Sequence, residues 1–164
     1  MAQGDKISFY EKKPNNEYKY HTLLIESQII SCHYEPITKH VLISTRPSEK
    51  HPNLRHLVFE VMRHSTPGTE SEIHLNLILT YKGSNQQKLM ARSKMFTINT
   101  ELYGCSSCEE HRAASVWSVS SGKECARLAN TSAVIDVLPL KFRQDSFICS
   151  LTEKQLKIFR QRLN

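Results

Sequence analysis

Cys105 and Cys108, with His111 three residues further on, are the residues of this chain whose types and spacing could do chemistry. A Cys-x-x-Cys pair is half of a structural zinc site, which takes four ligands in all. Cys125 would complete a Cys₃His set with Cys105, Cys108 and His111, but it does not belong to a second closely spaced pair. Glu109 and Glu110 follow where a zinc knuckle commonly has glycine, and they suit the positive end of a helix. The same pair could instead be redox-active, because a helix N-terminus lowers a thiol pKa. A thioredoxin-like site follows the first strand of a βαβ unit, however, whereas this pair follows a long run of strand-like sequence. The reading adopted is therefore reduced cysteines at a helix start, with no metal site and no cofactor assigned. A zinc- or redox-dependent protein built on Cys105 and Cys108 ranks third among the functions considered.

Catalytic signatures are missing. The eight histidines form no H-E-x-x-H motif, and neither a nucleophile elbow nor a phosphate-binding loop is present. His33, Glu35 and His40 could meet across a hairpin at Pro36, but turn polarity explains them equally well. The chain is read as non-enzymatic.

Basic residues make the stronger claim. The formal charge is +6 and the pI about 9.1, which favours negatively charged partners. Lys82, Lys88, Arg92 and Lys94 lie along one predicted hairpin, and Lys141, Arg143, Lys154, Lys157, Arg160 and Arg162 crowd the C-terminal part. Together they form a candidate polyanion-binding surface of the salt-sensitive, phosphate-contacting kind. Edge-strand lysines that block aggregation are the structural alternative.

The elements that must carry these residues come from periodicity. Residues 1–17 are polar and read as a flexible N-terminal arm, with residues 18–164 a single globular domain. Segments 20–31, 40–45, 54–63 and 73–81 read as strands. The clearest is 73–81, where Ile73, Leu75, Leu77, Leu79 and Tyr81 alternate with His74, Asn76, Ile78 and Thr80. Residues 88–98 are its expected hairpin partner. His56 and His74 fall on faces read as solvated.

Residues 106–115 and 121–129 read as short helices, and 132–138 and 146–150 as further strands separated by a break at Pro139. Thr152 and Gln155 form a capping box, and Leu151 and Leu156 a hydrophobic staple, for a C-terminal helix over 153–163. No internal repeat is evident. The fold class expected is α+β, mainly β: an antiparallel sheet or small sandwich with short helices and a capped C-terminal helix.

The odd cysteine count and the absence of a signal-like leader or a run long enough to span a bilayer point to an intracellular protein, cytoplasmic or nuclear. The expected function is that of a small basic interaction protein engaging a polyanion, nucleic acid first. The alternative is a matrix-type, self-associating scaffold that contacts anionic membrane and ribonucleoprotein, as small viral matrix proteins do. Partners would be nucleic acid or another anionic surface, anionic membrane, or further copies of the chain.

Overall fold

The computed structural model describes residues 2–12, 15–64, 72–83, 92–108 and 111–160. Every regular element among them is a strand. β1 (Ala2–Gln3), β2 (Lys6–Lys12) and β3 (Tyr18–Leu24) form the first sheet, so strand pairing begins within the first 17 residues. The second sheet holds β4 (Ile29–Glu35), β5 (His40–Thr45), β6 (Arg55–His64) and β7 (Glu72–Lys82). The third holds β8 (Ser93–Ile98), β9 (Glu101–Cys108), β10 (Ala113–Ser118) and β11 (Glu124–Ala129). β12 (Val134–Phe142), β13 (Asp145–Thr152) and β14 (Leu156–Arg160) complete a fourth. Each sheet is an antiparallel meander in which chain neighbours pair.

The four sheets stack face to face in chain order. Ile7 and Ile25 pack with Ile43, Leu57 and Phe59 between the first and second sheets. Leu42 and Val58 pack with Met95, Leu102 and Trp117 between the second and third. Cys105, Ala114 and Val116 pack with Val134, Val137 and Ile148 between the third and fourth. The first strands of successive sheets, β4, β8 and β12, lie side by side. Four-stranded meanders stacked this way, first strands together, have the layout of propeller blades.

Apolar periodicity explains most of the strands, and its failures have local causes. A bulge between Val58 and Phe59 sets Leu79 opposite Val58 but Leu77 opposite Phe59. One odd-numbered set on β7 therefore serves two cores: Leu75 joins the cluster under the first sheet, while Leu79 and Tyr81 join the one under the third. β6 is covered on both faces, so His56 is fully buried rather than solvated. The run expected over 20–31 is divided between two sheets at Glu26, whose φ is 57°. β8 pairs with β9 through a two-residue turn at Asn99 and Thr100, both at positive φ, so it is not the hairpin partner of β7. Pro139 interrupts nothing, because it lies in β12, an edge strand with pairing on one side only.

The expected helices are absent from the described residues, which corrects the α+β assignment to all-β. Residues 106–108 end β9, and 113–118 and 124–129 are strands. At the C-terminal end one of the two capping-box hydrogen bonds is made, in a turn, while the Gln155 side chain turns to Thr131. The Gln155 N–H donates to Thr152 Oγ1 at 3.1 Å, and the Thr152 N–H donates to the Gln155 carbonyl at 2.9 Å. A threonine side chain that caps a helix can also fold a tight turn. Beyond this turn Leu156, Ile158 and Arg160 alternate with Lys157 and Phe159, and β14 pairs with β13 from Leu151↔Leu156 to Phe147↔Arg160.

Candidate functional site

Among the described residues β4, β8 and β12 are edge strands of their sheets, hydrogen-bonded to a sheet neighbour on one side only. Side chains tie them together at one end. Ser31 Oγ and Ser93 Oγ lie 3.2 Å apart, the Met95 N–H donates to His33 Nδ1 at 3.1 Å, and Arg92 sits 3.7 Å from Asp136. Towards the other end the strands diverge around a trough of about 350 Å³. Phe96, Leu138 and Leu140 supply apolar wall, Ile37 stands at the rim with 80% of its surface exposed, and Lys94 and Lys141 bring ammonium groups.

The charges in the trough are unequal. Among the described residues no carboxylate pairs with Lys94 or Lys141. Glu35 is engaged locally, its Oε1 accepting the Ile37 N–H at 3.1 Å in the β4–β5 turn. The His33 pKa is lowered, first by burial and then by the Lys94 charge, with Glu35 opposing, so the ring is neutral at pH 7. No nucleophile is paired with a base here. What the arrangement can do is hold a segment of another molecule.

The remaining candidate basic residues are dispersed. Lys82 lines a smaller pocket beside Cys108, His111 and the Glu124–Arg127 ion pair. Arg143, at the turn after β12, lies 5.4 Å over the Phe142 ring. Lys154 is exposed in the β13–β14 turn. Lys157 Nζ donates to the Ala129 carbonyl at 3.2 Å, and Arg160 donates to both Asp145 oxygens at 2.8 and 3.0 Å. Lys88 and Arg162 lie outside the described residues.

The cysteines are not placed as a ligand set. In a strand, residues three apart point to opposite faces, and β9 carries both members of the pair. Cys105 is buried between the third and fourth sheets, whereas Cys108 lines the pocket with Tyr81 on the other side. Burial pushes the Cys105 thiol up to about 12, opposite to what a redox thiolate requires. Cys125 donates its S–H to the Val116 carbonyl at 3.5 Å, and His111 is exposed in the turn after β9. No group of three metal-ligating side chains exists among the described residues. The zinc and redox readings are thereby corrected.

The trough itself is absent from the sequence reading. Its walls come from residues far apart in the chain, and what could have led to it is the meander repeated from sheet to sheet. Trp117 sits where two of these sheets meet. It stacks on Tyr81 at 4.4 Å between ring centres and on His56 at 5.0 Å, across the second and third sheets. Its cross-strand partner is Gly104, where an added Cβ would come within 2.3 Å of the indole.

Residues 1–160 match the family model of the E3 ubiquitin-protein ligase RFWD3 WD40 domain. Similar proteins include the E3 ubiquitin-protein ligases RFWD3 of Mus musculus, 25% identical over 160 residues, of Ailuropoda melanoleuca, 27% over 161, and of Homo sapiens, 25% over 161. Each alignment covers 95% of this chain, and the chain spans about a fifth (21%) of each relative's length. WD40 repeats have four strands per blade, as the second and third sheets have here.

These likenesses overturn the reading of a small basic protein for nucleic acid, and with it the matrix-type scaffold on anionic membrane. The physical reason for the misreading is that net charge reports no arrangement: Arg92 and Arg160 are held in ion pairs. The non-enzymatic reading is corrected as well, since the relatives are named as ubiquitin-protein ligases and this chain matches their WD40 part.

Proposed function

The chain belongs to the family of the E3 ubiquitin-protein ligase RFWD3 WD40 domain, and from that membership we propose that it is a protein-docking part of a ubiquitin ligase. A client protein seats in the trough between β4, β8 and β12 and is held there for ubiquitin transfer. One observation carries this reading: among the described residues, exposed apolar walls and unpaired ammonium groups meet on edge strands that no sheet neighbour covers on that side. The work is done inside the cell, in cytoplasm or nucleus, where ubiquitin is ligated.

The test is quantitative capture from cells of ubiquitin-modified proteins by the wild-type chain and by the Ile37→Glu and Leu140→Ser variants. Their thermal unfolding is matched to wild type first. A defined set of captured proteins depleted by both substitutions is the expected result. An identical set on all three chains would show that clients dock elsewhere.

A further inference from the structure

We propose that the trough selects an extended segment in which carboxylates alternate with aliphatic side chains. This rests on the docking reading above and adds the chemistry of what docks.

Charge comes first. Lys94 and Lys141 both face the trough without a carboxylate partner among the described residues. The acidic groups nearby are already engaged. Glu35 accepts the Ile37 N–H, and Asp136 faces Arg92 at 3.7 Å. His33 adds no charge, since burial and Lys94 hold it neutral and its Nδ1 is occupied by the Met95 N–H. A ligand therefore meets two lysine charges against the single Glu35 carboxylate, a positive surplus beside apolar wall, where partial desolvation strengthens attraction to a carboxylate.

Shape comes next. Leu138 and Leu140 are 49% and 45% exposed and stand two residues apart on one face of β12. Side chains two apart in a strand repeat at about 6.5–7 Å, which is also the spacing of alternate side chains in an extended ligand. The trough follows edge strands, so a segment lying along it meets main-chain groups as well as side chains, the mode by which extended peptides add to sheet edges.

Fluorescence polarisation of the full chain tests this with labelled short peptides of alternating leucine and glutamate, leucine and glutamine, and leucine and lysine. The glutamate peptide should bind tightest and weaken steeply as salt rises. Lys94→Gln and Lys141→Gln should each weaken it about three- to fivefold, the range of partly exposed charge pairs. Lys154→Gln, in a turn outside the trough, should leave it unchanged. Equal binding of the glutamate and glutamine peptides, no binding of either at millimolar concentration, or equal loss in the Lys154 variant would overturn the proposal.

The two readings fail separately. If acidic selectivity is absent while Leu140→Ser still strips clients in the capture experiment, docking stands and the acidic chemistry falls. If neither effect appears, the docking reading falls with it.

Discussion

Trp117 and Leu140 are both large apolar residues in strands, and the molecule uses them in opposite ways. Trp117 lies between two sheets with none of its surface exposed, stacked on Tyr81 and His56 and laid against Gly104. Leu140 lies on the last sheet, 45% exposed, with no sheet of the described residues over its outward face. The second and third sheets are covered on both sides and the fourth on one. Burial in this fold follows from whether a neighbouring sheet lies over a face, and the hydrophobicity of the strand alone does not decide it. What is left exposed where the first strands meet is apolar wall beside two lysines.

The sharpest way to break this contrast is Trp117→Ala. Truncating a buried aromatic residue should cost about 3–5 kcal/mol, read as a lower urea midpoint. Gly104→Ala attacks the same contact from the opposite strand. Its methyl group would force the indole aside, an overpacking cost of about 1–3 kcal/mol, checked in the same assay with loss of near-ultraviolet circular dichroism from the single tryptophan.

The third prediction concerns pH. Burial lowers the His56 pKa to about 3, with Ser44 Oγ 2.8 Å from its Nδ1. An unfolded histidine takes up a proton below about pH 6.5, and the folded one does not until about pH 3. Its contribution is therefore complete above the unfolded pKa and is lost as pH falls towards the folded one, by up to about 1.4 kcal/mol per pH unit. Urea unfolding at about pH 7 and about pH 5.5 should show this slope in wild type and a flatter one in His56→Asn. An unchanged slope would mean that His56 is not buried between the sheets.

The smallest effect belongs to the open face. Leu140→Ser should shift stability by no more than about 0.5 kcal/mol, while reducing self-aggregation at high concentration. A loss comparable to that of Trp117→Ala would mean that this face is covered in the folded protein.

The antiparallel strands were legible where one face alternates cleanly, as in much of β7, and the hairpin at Pro36 was legible from its turn residues, with Glu35 opposite His40. Sequence periodicity failed where a strand is buried on both faces. Residues 106–115, rich in serine and alanine, show no alternation because β9 and β10 lie between two sheets, so they resembled a short helix. The capping box misled for a different reason, because Thr152 makes much the same local hydrogen bonds at a tight turn as at a helix start. The trough could not be read at all. It requires Ile37, Lys94 and Lys141 to meet, and only the stacking of the sheets brings them together.

Clients are proposed to dock where β4, β8 and β12 meet. Photocrosslinking with a benzophenone amino acid at Ile37, in the trough, and at Ile78, on the outer strand β7, tests it most directly. The account predicts that a client captured by the wild-type chain crosslinks to position 37 and not to position 78. Crosslinking at 78 alone would contradict it and move the docking surface to the outer strand.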